Sequence, residues 1–181
     1  MTSLAAILVV IMTARSECRA ERYPVTIVSG GQTGVDRGAL DAALALGAPC
    51  GGWCPQGRLA EDGVIDARYP LRELPGGGCL ERTRRNVLDS DGTLVVSYGP
   101  ASGGTAATIE FCREFGRPLL VVDANVTDPT AAARQVAGFL DRESIRRLNV
   151  AGPRASGEPG AYAYAYAIVC AVLELRNREG R

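Results

Sequence analysis

The sequence predicts a single α/β domain built on a doubly wound, mostly parallel sheet with helices on both faces. Three observations carry this. Short apolar, β-branched runs recur at Val25–Val28, Thr93–Ser97, Pro118–Val122 and Leu148–Ala151, as expected for strands buried on both faces. Between them lie Ala- and Leu-rich stretches with apolar residues at helical spacing. Glycine-rich turns at 29–34 and 98–105 join strand to helix, and a third glycine-rich loop, 152–157, follows the last strand. At 181 residues the chain suits one domain that buries roughly 70% of its unfolded surface.

The first βα unit, Val25–Leu46, organises the chain. Val25–Val28 predicts a buried strand. Val35–Leu46 predicts a helix with Val35, Ala39, Ala42, Ala43 and Leu46 on one face. Between them, Ser29-Gly30-Gly31-Gln32-Thr33-Gly34 forms a turn where backbone N–H groups and the helix N-terminus converge on an anion. The missing Cβ atoms of Gly30, Gly31 and Gly34 let an oxyanion approach the backbone. Thr33 adds a hydroxyl, and Arg37 sits one turn into the helix with a planar fork suited to oxyanions. No Gly-Lys-Ser/Thr follows, so the turn is not a Walker A loop, and its glycine spacing is not the dinucleotide fingerprint. A plain βα bend needs fewer of these features.

Ala48–Gly63 reads as a loop punctuated by Gly and Pro, carrying Trp53, Arg58, Glu61 and Asp62. Two readings stand: a ring and a guanidinium for a heteroaromatic anion, or a packed surface loop with solvated charges. Tyr69–Leu74 predicts a short strand, Pro75–Gly78 a turn, and Cys79–Ser90 a helix rich in arginine. Such a charge run is ordinarily a solvated face, but Arg82 and Asn86, at i and i+4, give it one side able to contact an anion. After the strand Thr93–Ser97, the turn Tyr98–Thr105 places Ser102, Gly103, Gly104 and Thr105 before a helix over Ala106–Phe115, ended by Gly116. Pro118–Val122 is the next strand, closing at Asp123. Asp128-Pro129 opens a helix to Leu140, with Arg142–Arg147 as a short helical continuation. Leu148–Ala151 leads to the third glycine-rich loop, which contains Arg154 and Ser156; it reads equally as a connecting loop. Pro159 then starts a helix over Gly160–Leu175, despite the alternation of Tyr162, Tyr164 and Tyr166. Two glycine-rich βα turns in one small sheet face each other across a topological switch point, where ligands bind.

Formal net charge is zero, which gives no general attraction to nucleic acid or to an anionic membrane. The chain has no His and no Lys, so every basic side chain is an arginine. This removes the usual general base near neutral pH and the commonest metal ligand. Cys50 and Cys54 have no second pair and no His to complete a zinc site. The six cysteines therefore read as reduced structural thiols, which fits a cytoplasmic protein. Residues 1–22 read as an N-terminal extension to a domain over 23–178. Its apolar run Leu4–Met12 is shorter than the roughly 20 residues a bilayer requires. The run reads as an extension upstream of a start at Met12, as a signal-like segment lacking a basic n-region, or as an extra helix.

Five stretches taken together resemble the molybdenum cofactor carrier proteins. They are GGQTGVDRGALDAAL at 30–44, GWCPQGRLAEDG at 52–63, ERTRRNVLDSDGTLVV at 81–96, SGGTAATIEF at 102–111 and LNVAGPRASGEPGAYA at 148–163. Those proteins form a group within the SLOG superfamily, related to YpsA-type and lysine-decarboxylase-like (LOG) proteins. The resemblance spans about Val25–Leu175 and implies a Rossmann-like sheet, homo-oligomerisation and a site at the strand C-terminal ends. It also implies the molybdenum cofactor, a pterin phosphate with a dithiolene-bound oxometal, as bound cargo, with molybdoenzymes or cofactor-synthesis proteins as partners. The expected contacts are Gly30, Gly31, Gln32, Thr33, Gly34 and Arg37 on one turn and Ser102, Gly103, Gly104 and Thr105 on the facing turn, with Arg82, Arg154 and Ser156 behind them.

The competing expectations are a nucleotide-binding SLOG module and an enzyme. LOG-type phosphoribohydrolases carry PGGxGTxxE, whose Glu acts at the ribose. Here the corresponding position is Thr108, and Glu110, the nearest Glu, lies two residues on. On a helix that turns its side chain about 200° away. A hydroxyl does not replace a carboxylate in acid–base work near neutral pH, so binding without turnover is the favoured expectation.

Overall fold

The computed structural model describes residues 25–179; the N-terminal extension, including Leu4–Met12 and Cys18, lies outside the described residues. Six parallel strands form one sheet in the order β5-β2-β1-β8-β6-β7. They are β1 (Thr26–Val28), β2 (Cys50–Pro55), β5 (Leu71–Leu74), β6 (Gly92–Ser97), β7 (Leu119–Asp123) and β8 (Arg147–Ala151). A separate two-stranded hairpin pairs β3 (Leu59–Ala60) with β4 (Gly63–Val64). Among the described residues there are five α-helices, α1 (Val35–Leu46), α2 (Cys79–Leu88), α3 (Gly103–Glu114), α4 (Pro129–Arg142) and α5 (Ala161–Glu179), and a short 3-10 turn at Gln56–Arg58. The expected Rossmann-like, doubly wound architecture is what the chain adopts. No described helix is long and apolar enough to cross a membrane.

Handedness sorts the helices. Parallel crossovers are right-handed, so moves toward the β5 edge and moves toward the β7 edge leave their helices on opposite faces. α1 and α4 accompany moves of the first kind, and both pack on α5; α2 and α3 accompany moves of the second kind and pack on each other. Side-chain alternation then divides the sheet. Ile27, Leu94, Leu148, Val96, Val150 and Val122 join Val35, Ala39, Val136, Phe139, Ile168 and Val172 in one apolar core. Residues of opposite parity, Thr93 and Asn149 among them, are also buried and are paired in register. The Asn149 Nδ2 lies 3.3 Å from the Thr93 hydroxyl. The face beneath α2 and α3 is thus the polar one.

Several boundaries differ from the sequence reading. Cys50–Pro55 is a strand rather than a loop. Its glycines read as turn punctuation but are what the packing needs: a Cβ on Gly52, at φ +138°, would lie 2.1 Å from the Ser29 carbonyl oxygen. α3 begins at Gly103 rather than Ala106, with Ser102 as its extended N-cap. The residues after α4 do not continue the helix. Ser144 turns the chain with φ +54°, and Arg147 already belongs to β8. The hairpin at 59–64 had no sequence signal beyond a glycine, because its two-residue strands are too short to show alternation.

Gly52→Ala combines a left-sided backbone with a clash against β1, and urea unfolding is expected to show a loss of at least about 3 kcal/mol. Gly63→Ala, at φ +114° but with nothing within 4 Å of the added Cβ, is expected to lose about 1 kcal/mol. Equal losses would mean that β1–β2 contact does not set the need for glycine at 52.

Candidate functional site: a cavity at the switch point

A cavity of about 520 Å³ opens between α2 and α3 over the C-terminal end of β8. Its floor is Asn149–Ala151. One wall carries Arg82, Thr83 and Asn86 from α2, the opposite wall Ser102–Thr105 and Thr108 from α3, and the rim Gly30, Gln32, Arg154 and Ser156. β8 lies between β1, from which the chain winds outward to β2 and β5, and β6, from which it winds outward to β7. A crevice at the carboxyl ends of such strands is where doubly wound sheets bind ligands.

The α3 wall is an open helix start. Ser102 makes no side-chain cap bond, and first-turn N–H groups of a helix lack intrahelical partners. Gly103, at φ +52°, and Gly104 would each find nothing within 4 Å of an added Cβ, so both leave the helix start open to close approach. The first turn of α2, at Cys79 and Leu80, reaches the same cavity.

Arg82 supplies fixed positive charge. Its Nη1 is 3.1 Å from Asp36 Oδ2, and the Gln32 N–H donates to the same carboxylate at 3.2 Å. A Cβ on Gly30 would fall 1.3 Å from that Nη1, so the guanidinium lies across the turn only because residue 30 has no side chain. Arg82 Nε is buried with no hydrogen-bond partner among the described residues. Asn86, one turn further along α2, exchanges two hydrogen bonds with the Trp53 backbone and so docks α2 onto β2. Burial pushes the Asp36 carboxyl above its ordinary range, although Arg82 and the Gln32 N–H pull it down.

The cavity gathers Gly30, Gln32, Arg82, Ser102, Gly103, Gly104, Thr105, Arg154 and Ser156. Four residues expected there do not line it. Gly31, at φ +78°, packs its open side against Leu71 and Ile65, and Gly34 abuts the Pro153 carbonyl. Thr33 accepts the Ala155 N–H at 3.1 Å and donates to Glu61. Arg37 donates to the Gly31 carbonyl at 3.2 Å and forms a forked pair with Asp62. The heteroaromatic stacking reading of Trp53 and Arg58 also gives way. Arg72 and Arg85 lie 4.4 and 5.5 Å from the Trp53 ring, and its Nε1 donates to Asp89. Arg58 donates to the carbonyls of Ile65, Asp66, Tyr69 and Leu71. Sequence reasoning missed Asp36 and Asn149. A polar Asn inside an apolar strand was the available signal for the second.

Carboxylates elsewhere at the rim behave differently from Asp36. Hydrogen bonds from Ser156 and Thr33 hold Glu61 below its ordinary range, and Arg37 does the same for Asp62. Burial raises the thiols of Cys54 and Cys112. Among the described residues no group of three or more His, Cys, Asp or Glu is placed to hold a metal ion. At the position where LOG enzymes have Glu, Thr108 is buried in the cavity wall and donates to the Gly104 carbonyl at 2.9 Å. Glu110 does not line the cavity.

Fold and cavity together define a Rossmann-like domain with its crevice at the switch point of the sheet. The chain belongs to the circularly permutated YpsA SLOG family, whose model matches residues 27–173. The strand order agrees with such a permutation: were β8 the first strand, the chain would step outward through β1, β2 and β5 and then restart beside it at β6. The structure is also similar to a crystal structure at 1.45 Å named "Putative molybdenum carrier protein", from Syntrophus aciditrophicus SB. The two share 41% identity with a TM-score of 0.81, over 83% of this chain and 96% of that one. A comparison with curated proteins gave no match.

Arg82→Met leaves Asp36 buried without its cation and is expected to cost about 3 kcal/mol in urea unfolding, with part recovered by adding Asp36→Asn. An acid whose folded pKa is raised contributes most below its unfolded pKa and loses that contribution as pH rises. Stability of the single variant should therefore fall more steeply than that of the wild type as pH rises above about 4. Parallel pH profiles would show that Arg82 does not neutralise Asp36.

Proposed function

We propose that this protein binds the molybdenum cofactor, or a related phosphate-bearing oxyanion, and holds it without turnover. The observation that carries the reading is the convergence of a pinned arginine with an open helix N-terminus. Arg82 is set by Asp36 and Gly30, and faces the Gly103–Gly104 start of α3 across one cavity. Helix N-termini and arginine forks are the protein's means of receiving oxyanions. The volume of about 520 Å³ falls within the roughly 300–1,000 Å³ typical of small-molecule sites. Arg154 and Ser156 supply a second polar end, and the similar crystal structure's name, a molybdenum carrier protein, supports a molybdenum-bearing cargo. In this reading the protein is a cytoplasmic homo-oligomer that shelters its cargo for molybdoenzymes or cofactor-synthesis proteins.

The chemistry at the cavity favours holding over cleaving. Asp36 is the acidic residue that lines it, and its carboxylate is already bonded to Arg82 and Gln32. A general acid or base must reach the proton it transfers.

Protein purified from a host that makes the cofactor is expected to release pterin and molybdenum in near-equal amounts, read by fluorescence of the oxidised pterin and by metal analysis. Gly30→Ala displaces the Arg82 guanidinium and should lower retained cargo about tenfold, a loss of about 1.4 kcal/mol in binding; because the same displacement takes the cation from buried Asp36, it should also lower the thermal midpoint. Neither pterin nor molybdenum in the wild type would overturn the carrier reading. Binding of a nucleoside monophosphate without cleavage would put a nucleotide module in its place, and release of free base would establish a hydrolase.

A further inference from the structure

The acidic pair Glu61-Asp62 sits at the tip of the β3–β4 hairpin, outside the cavity. Its base is anchored, because the Arg58 guanidinium grips four carbonyls between Ile65 and Leu71. That frame carries Glu61 to two loops distant in the chain. Its carboxylate accepts from the Thr33 hydroxyl, from the Ser156 N–H at 3.1 Å and from the Ser156 hydroxyl. Arg154 Nε is 3.7 Å away. Its own N–H donates to Gln32 Oε1 at 3.0 Å. Thr33 extends the chain of bonds by accepting the Ala155 N–H at 3.1 Å. Gln32, Arg154 and Ser156 all line the cavity. Asp62, the neighbouring acid, pairs instead with Arg37, which does not.

We propose that Glu61 is a positioning residue that ties the 153–157 loop to the turn after β1 and thereby sets one side of the binding cavity's rim. Its consequence for affinity rests on the oxyanion-binding reading above; its hold on the loop does not. An ionised carboxylate only accepts hydrogen bonds, which suits three converging donors. A carboxamide reproduces these bonds, because its oxygen still accepts from the Thr33 hydroxyl and the Ser156 N–H and its N–H donates to the Ser156 hydroxyl. Glu61→Ala is therefore the variant that removes the tie. Thr33→Val breaks the same chain from the other end by removing both the donor to Glu61 and the acceptor for Ala155.

The test is amide hydrogen exchange on the full chain at Ala155 and Ser156, with titrations of inorganic molybdate and inorganic phosphate by calorimetry. Glu61→Ala and Thr33→Val should each raise exchange at these two amides at least about tenfold and weaken anion binding about tenfold. Exchange in β8 should stay unchanged. Asp62→Asn, which loosens the same hairpin tip without touching the loop, should leave both readouts within about twofold. Unchanged exchange in both Glu61→Ala and Thr33→Val would overturn the proposal, and so would an Asp62→Asn effect equal to that of Glu61→Ala. If the wild type bound neither anion while Glu61→Ala still freed the loop, the oxyanion-binding reading would fail and the tie would stand.

Discussion

One buried carboxylate orders the rim of this sheet. Asp36 is almost wholly withdrawn from solvent, with the Arg82 guanidinium and the Gln32 N–H as its compensation. Such a pair is a poor source of stability, since the cost of desolvating two charges offsets much of their attraction. Its value here is geometric. Asp36 fixes one end of a long, otherwise flexible side chain, Gly30 leaves room for it, and Asn86 fixes the helix that carries it. The result is a cation held in place ahead of any ligand, so less side-chain entropy remains to be lost on binding. The other arginines of α2 have different occupations: Arg84 lies over the Phe115 ring at 4.9 Å, and Arg85 pairs with Asp89.

The topology explains why that cation meets a helix start. β8, the last strand in sequence, lies between β1 and β6 and supplies the cavity floor. The loop after β1 and the loop after β8 therefore come side by side, although more than a hundred residues separate them. On the far side of β8 the connection after β6 crosses to the opposite face, and a gap opens between the diverging chains. Polar residues on that face, Thr93 and Asn149, are tolerated because they meet each other, and Asn149 meets the cavity, rather than the apolar core.

Much of this was legible in the sequence. The β-branched runs at Val25, Thr93 and Leu148 and the Ala-rich helices gave the layer order, because burial on both faces leaves an unmistakable apolar pattern. The glycine turns marked the rim, and Ser102–Thr105 and Arg82 do reach one cavity. Three things were hidden. β2 looked like a loop because the glycines that let it approach Ser29 are the same residues that punctuate turns. Thr33 and Arg37 looked like ligand contacts, but their partners, Glu61 and Asp62, lie 28 and 25 residues away on a hairpin too short to read. Asp36 looked like an ordinary first-turn acid, since no local pattern says that a helix from another part of the chain will cover it.

The absence of lysine and histidine gives these assignments a common logic. Arginine keeps its charge throughout the pH range in which proteins fold, and its planar fork binds in fixed directions. Each arginine at the rim is accordingly matched to a stated acceptor: Arg82 to Asp36, Arg37 to Asp62, Arg58 to backbone carbonyls. Of the two basic side chains that line the cavity, Arg154 is half exposed and only loosely paired with Glu61, while Arg82 is buried with an unpartnered Nε. The cavity thus holds one rigid and one adjustable cation beside an open helix N-terminus. Under the proposed function, that asymmetry suits a guest with a compact anionic group at one end and a bulkier polar body at the other, because the rigid cation selects charge and the adjustable one accommodates shape.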